Sequence, residues 1–144
     1  MNISKSKKFT EKHGPGAEPD PVIKEEILKY AKDNELPCAL AFQIAKDLSL
    51  LPGEVGKTAD LMNLRIVKCQ LGLFGYKPES KIVAADKDAS PELKAAVSEA
   101  AIDRRLPCRS AWEIASRFKV RKMTVSSTCE ALNIKIKPCQ LGAF

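Results

Sequence analysis

The sequence has little histidine, tryptophan and tyrosine, and it lacks a long apolar run. Its 144 residues include one histidine, one tryptophan and two tyrosines. No acid and base side chains are paired in a pattern typical of an active site, so we expect that the protein is not an enzyme. It has no run of about 18 apolar residues, and we therefore expect neither a membrane-spanning helix nor a membrane partner.

The cysteines also lack a pattern typical of secreted or metal-binding proteins. There are five of them, an odd number, and no two have Cys-x-x-Cys spacing. The amino-terminal stretch is polar and basic and has no apolar segment of the kind found in a signal peptide. We therefore expect a cytoplasmic protein without structural disulfides and without a cofactor.

The chain does contain an internal repeat. Shifting the sequence by 70 residues places Leu36–Cys38 on Leu106–Cys108 and Cys69–Gly72 on Cys139–Gly142. No gap is needed from the Pro21/Pro91 position onwards. Self-similarity at a fixed spacing is the sequence signature of a duplicated structural unit. We predict a flexible basic tail at 1–20, module one at 21–76, a linker at 77–90 and module two at 91–144.

Positive charge is concentrated in the second module. The net charge is +6, and residues 91–144 contribute +5 of it, with ten Lys and Arg against five acids. Residues 21–76 carry seven charges of each sign and are neutral. A basic module favours a polyanionic partner, although a solvated basic surface has the same composition.

Apolar spacing predicts three helices in each module. In module one they cover about 21–33, 39–48 and 53–62, and a strand follows at 64–68. Module two repeats the pattern with helices at about 91–104, 111–118 and 124–132 and a strand at 134–137. Asp20 and Ser90 are expected as N-caps, and Asn63 as a left-handed residue that ends the third helix.

The stretch from Ile44 to Ile66 resembles the helix-turn-helix DNA-binding superfamily. The resemblance depends on Ala45 within the first helix of the pair, Leu48, Leu50 in the turn and Val55 early in the second helix. It implies a mainly α fold of two tandem three-helix modules with short strands. The segment after each third helix is short for a wing, so a truncated winged helix is expected.

The resemblance also implies a function, which is binding of double-stranded DNA by a transcriptional regulator. In this superfamily the third helix enters the major groove and its exposed residues reach the bases. Module two is expected to be the better reader, since module one has one cation at these positions. The candidate DNA-binding residues are Arg121, Lys122, Thr124, Ser126, Ser127, Thr128, Lys135 and Lys137, with Lys57 and Thr58 in module one.

Two other functions remain open from the sequence. Module one is neutral and has an apolar turn, Leu50-Leu51-Pro52, so it could bind a second copy of the chain or another protein. The repeated cysteines could alternatively form a redox-sensitive or metal-binding site, although packing in the core is the more frequent role of buried cysteine. The candidates are Cys38, Cys69, Cys108 and Cys139. Trp112 and Phe42 share one repeat position and are expected to pack in the core.

Overall fold

The computed structural model describes residues 13–14, 16–78 and 80–143. Within these ranges the protein is mainly helical, as predicted, with six α-helices and two two-stranded sheets. None of the described helices has both the length and the apolar character that crossing a membrane requires. Much of the predicted tail at 1–20 lies outside the described residues.

The described residues divide into two compact units. Unit 1 comprises the described part of Met1–Cys69 together with Leu141–Ala143, and unit 2 comprises the described part of Gln70–Gln140. The last residues of predicted module one and the whole of the predicted linker thus fall within the range of unit 2. Unit 2 thus includes residues 70–72, which belong to the first repeat. Unit 1 includes residues 141–142, which belong to the second repeat.

Both units have the same order of elements. Unit 1 contains α1 (Pro21–Tyr30), β1 (Glu35–Pro37), α2 (Cys38–Asp47), α3 (Pro52–Leu61) and β2 (Arg65–Val67). Unit 2 contains α4 (Pro91–Ala100), β3 (Arg105–Leu106), α5 (Cys108–Phe118), α6 (Lys122–Ala131) and β4 (Lys135–Ile136). The helices begin and end within a few residues of the predicted bounds.

The first helix of each unit begins at the predicted cap. Asp20 Oδ1 accepts hydrogen bonds from the amides of Val22 and Ile23 at 2.9 and 3.1 Å, and Ser90 Oγ accepts one from Leu93 N at 3.2 Å. These bonds satisfy amide groups that no helical carbonyl can reach.

The first helix ends earlier than its apolar pattern predicts. α1 ends at Tyr30 rather than near Asp33, because Ala31 already has an extended backbone with φ of −71° and ψ of 140°. Asp33 and Asn34 follow with φ of 54° and 61°, a left-handed conformation that a right-handed helix cannot include. Asn63 also has a positive φ, 59°, which confirms the predicted end of the third helix.

A parallel strand pair joins the two ends of each helix pair. Leu36 of β1 is in register with Ile66 of β2, and Leu106 of β3 with Ile136 of β4. All four side chains are buried. No other described strand pairs with β2 or β4, so the described residues contain no wing hairpin in this sheet. In each unit the strand pair instead joins the segment before the second helix to the segment after the third helix.

Unit 1 has an unusually close approach at Gly56 of α3. A Cβ added there would lie 1.7 Å from the backbone oxygen of Leu141, far inside van der Waals contact. Leu141 itself is 2% exposed. Leu141 therefore packs in the core of unit 1 because Gly56 leaves room for its backbone.

Candidate nucleic-acid interface

The amino-terminal end of α6 carries two of the predicted cations. Arg121 is the N-cap and is exposed, whereas Lys122 is the first helical residue and is half-buried. Lys122 Nζ lies 4.3 Å from the centroid of the Trp112 ring, which is a cation–π contact. The start of α6 therefore presents one cation to solvent and holds the other against an aromatic ring.

Three predicted DNA contacts lie in the interior instead. Ser126 and Thr128 are 0% exposed and Thr58 is 3% exposed. Thr128 Oγ1 donates to Thr124 O at 2.9 Å, and Thr58 Oγ1 donates to the carbonyl four residues earlier at 3.1 Å. Because these threonine hydroxyls are satisfied by their own helix, burying them is inexpensive. The predicted exposure of these three side chains is therefore wrong, since none of them reaches the surface.

The outer side of α6 is covered by the segment that connects β2 to α4. Asp86 N donates to Ser127 O at 3.0 Å, and Lys81 forms an ion pair with Glu130. Every residue of α6 is buried or half-buried, including the predicted contacts Thr124 and Ser127. The surface of the helix around Ser127 and Glu130 is therefore partly covered by this segment, and the exposed Arg121 marks its most accessible end.

A first group of cations surrounds that end. We name it the turn cluster, and it consists of Arg117, Lys119, Arg121 and Lys122. Lys119 links α5 to α6 with φ of 56°, and Arg117 lies 5.4 Å from the centroid of the Phe118 ring. All members except Lys122 are exposed. Four cations within residues 117–122 create a local positive potential that attracts an anionic partner.

A second group lies on the strand pair. We name it the strand cluster, and it consists of Arg104, Arg105, Lys135 and Lys137. Arg105 and Lys135 are directly opposite in the register, and Lys135 N donates to Arg104 O at 2.9 Å. All four residues are exposed, and no ion pair with a described acid neutralises them. Lys135 and Lys137 were expected here, whereas Arg104 and Arg105 become candidates only through the register.

Module one offers less of this chemistry. Lys57 is exposed on α3, as a DNA contact requires. Asp60, further along α3, is 5% exposed and its Oδ2 lies 2.8 Å from His13 Nε2. His13 comes from the predicted tail, so at least this residue of the tail contacts the folded unit. Lys57 is the one exposed cation on α3.

A cleft of about 710 Å³ lies beside the turn cluster in unit 2. Its wall includes Trp112, Arg121 and Lys122, and Trp112 is half-buried rather than enclosed in the core. The full lining consists of Gln70, Trp112, Ala115, Ser116, Val120, Arg121, Lys122 and Met123. The sequence offered no signal for this cleft, because Gln70 is distant from the other residues along the chain.

The repeated cysteines do not gather into a metal site. No group of three or more potential ligands is present among the described residues, and none of the five cysteines forms a disulfide. Cys108 is buried, and its Sγ accepts a hydrogen bond from Gln140 Nε2 at 3.5 Å. Burial raises the pKa of the Cys129 thiol to about 12, so this thiol is protonated near neutral pH and a poor nucleophile.

Comparison with known proteins adds no relative. No protein-family model matches the chain, and no curated protein or solved structure matches it. The function of the chain must therefore be inferred from the geometry and charge of unit 2.

Proposed function

We propose that this chain is a DNA-binding protein with a role in transcriptional regulation, and that unit 2 makes the contacts. The observation that carries the proposal is the pair of cationic clusters on unit 2, which present seven exposed cations from the turn and the strands. Phosphate neutralisation by Lys and Arg supplies much of the affinity of proteins for duplex DNA.

The helix-turn-helix interpretation agrees with the local geometry of α5 and α6. α5 ends at Phe118, Val120 N donates to Ala115 O at 3.0 Å, and α6 begins at Lys122. This is a short turn between two helices, as that motif requires. Since the surface of α6 around Ser127 and Glu130 is partly covered, we place the contacts at its amino-terminal end, in Arg121, Lys122 and the half-buried Thr124. The strand cluster contributes further phosphate contacts.

The test is a titration of labelled duplex DNA at low and moderate salt. We expect binding that weakens steeply as salt rises, because counterions released on binding oppose it. Exchanging Arg121 and Lys122 for glutamate should abolish binding, since two cations become two anions. Absence of binding at low salt, or binding that salt does not affect, contradicts the proposal.

A second candidate function is assembly with another copy of the chain through unit 1. The turn before α3 exposes two adjacent leucines, Leu50 at 41% and Leu51 at 74%. Exposed neighbouring apolar residues are a feature of protein interfaces. We expect Leu51→Asp to disperse an oligomer detected by sedimentation without loss of fold, because Asp is a favourable N-cap residue at that position. A wild-type chain that is monomeric at high concentration removes this candidate.

A further inference from the structure

The cleft of unit 2 combines features that suit a particular class of small ligand. Trp112 offers a large aromatic surface, and Lys122 and Arg121 supply two positive charges beside it. The volume of about 710 Å³ lies within the range of roughly 300–1,000 Å³ that is usual for small-molecule sites. A ligand complementary to the cleft therefore has a planar ring and at least one strongly anionic group.

We propose that this cleft binds a nucleotide, with its base stacked on Trp112 and its phosphate held by Arg121 and Lys122. The proposal goes beyond duplex binding, because a paired base is stacked in the helix and cannot enter the cleft. Base stacking on an aromatic side chain tolerates any base, since every base has a π face. Arginine binds phosphate in a bidentate manner and lysine binds it as a point charge.

The contact between Lys122 and Trp112 indicates how the ligand is accommodated. The ammonium group lies over the ring at 4.3 Å from the centroid, where it is attracted to the negative face of the indole. Lysine has a flexible four-carbon stem, so its ammonium group moves to the phosphate as the base takes its place on the ring. The α6 helix, which has no side-chain cap at its start, presents its positive end to the same anion.

Unit 1 lacks these features at the equivalent positions. Phe42 takes the place of Trp112, and Leu51 and Pro52 take the places of Arg121 and Lys122. An aromatic ring without adjacent cations cannot hold a phosphate. We therefore expect one nucleotide site in the chain, in unit 2.

The experiment is a fluorescence titration of the full chain, in which Trp112 is the only tryptophan. The probes are adenosine monophosphate, adenosine, inorganic phosphate and a single-stranded oligothymidylate. We expect adenosine monophosphate to quench the fluorescence, adenosine to bind at least ten-fold more weakly, and phosphate alone to leave the fluorescence unchanged. Quenching by the oligonucleotide but not by the free nucleotide also supports the site and identifies an unpaired base in a strand as its ligand.

Three variants separate this site from a general attraction to positive charge. Lys122→Gln and Arg121→Gln should each weaken binding about ten-fold, as expected when one charged hydrogen bond is removed. Lys87→Gln removes an exposed cation of unit 2 that neither lines the cleft nor belongs to either cationic cluster, and it should leave the affinity unchanged. Equal weakening by all three variants, or no quenching by any nucleotide or strand, overturns the proposal. A parallel titration of the wild-type chain with duplex DNA tests the proposed function independently of the nucleotide site.

Discussion

The two units have the same order of elements but different surfaces. At the positions of the turn cluster, Arg117, Lys119, Arg121 and Lys122, unit 1 has Asp47, Ser49, Leu51 and Pro52. At the positions of the strand cluster, unit 1 retains one cation, Arg65, and has Asn34, Glu35 and Val67 at the others. The same order of elements is thus compatible with different surface chemistries, because seven of these eight residues are exposed in unit 2 and do little to hold it together. Function must be argued for each unit separately.

The units also differ at one position inside the third helix. Gly56 of α3 corresponds to Ser126 of α6, and both are buried. Gly56 is needed because the Leu141 carbonyl occupies the space of a Cβ. Ser126 already has a Cβ, and its Oγ has no hydrogen-bond partner among the described residues. The residue at this repeat position must therefore be glycine in unit 1, where there is no space for a Cβ. In unit 2 the unfavourable feature is the buried polar hydroxyl group of Ser126.

The largest effect is expected from matched alanine substitutions at this position. Gly56→Ala should destabilise unit 1 by about 3 kcal/mol, because the new methyl group overlaps backbone atoms that cannot move cheaply. Ser126→Ala should be neutral or stabilise unit 2 by about 1 kcal/mol, since it removes a buried hydroxyl that lacks a partner. Chemical denaturation of both variants measures the two free energies of unfolding. Equal effects at the two positions would contradict the close approach of Leu141 to Gly56.

The next effect concerns the charged surfaces of the two units. Replacing the four residues of the strand cluster by glutamine should weaken duplex binding. It should also reduce the salt dependence of the logarithm of the binding constant by about 0.9 for each phosphate that is no longer neutralised. The matched control changes four exposed cations of unit 1, Lys24, Lys32, Lys46 and Lys68, to glutamine, so that the net charge is the same. If the control weakens binding equally, net charge rather than the clusters of unit 2 explains the affinity.

A smaller difference is expected between the two helix caps. Asp20 accepts two amide hydrogen bonds and carries a negative charge at the positive end of α1, whereas Ser90 accepts one and is neutral. Replacing either residue by alanine should cost about 1 kcal/mol, and Asp20→Ala should cost more than Ser90→Ala at low salt because of the interaction with the helix dipole. Thermal unfolding at low and high salt measures the difference, which should narrow as salt is added. A larger loss for Ser90→Ala contradicts this ranking.

The smallest effect concerns thiol reactivity and leaves stability unchanged. Cys129 is 1% exposed and its pKa is raised to about 12, so at pH 8 only about one thiol in ten thousand is ionised. Cys139 is half-buried and should be alkylated before Cys129. Mass mapping of the native protein after brief treatment with iodoacetamide gives the order of labelling. Early labelling of Cys129 would indicate that α6 opens readily, and it would revive the redox hypothesis.

Much of the helical architecture was predictable from local sequence. The caps at Asp20 and Ser90 and the left-handed Asn63 were identified from residue type alone, because capping and positive φ depend on the residue and its immediate neighbours. The predicted ends of α1 and α4 were wrong by about three and four residues. The apolar pattern continues towards Asp33 and Arg104, but the backbone is already extended at Ala31 and Ala101. DNA binding and the transcriptional role stay predictions.

The sequence by itself determined the repeat, the mainly helical fold and the concentration of positive charge in the second half. These properties depend on spacing, composition and short-range capping, and each can be read along the chain. Only the tertiary structure decided which side chains on α6 face solvent. The apolar pattern of a helix indicates which side faces the core. It does not indicate whether a segment distant in sequence covers the opposite side. The burial of Ser126 and Thr128, the pairing of Arg105 with Lys135, and the cleft formed by Gln70 and Trp112 all depend on contacts between residues far apart in sequence.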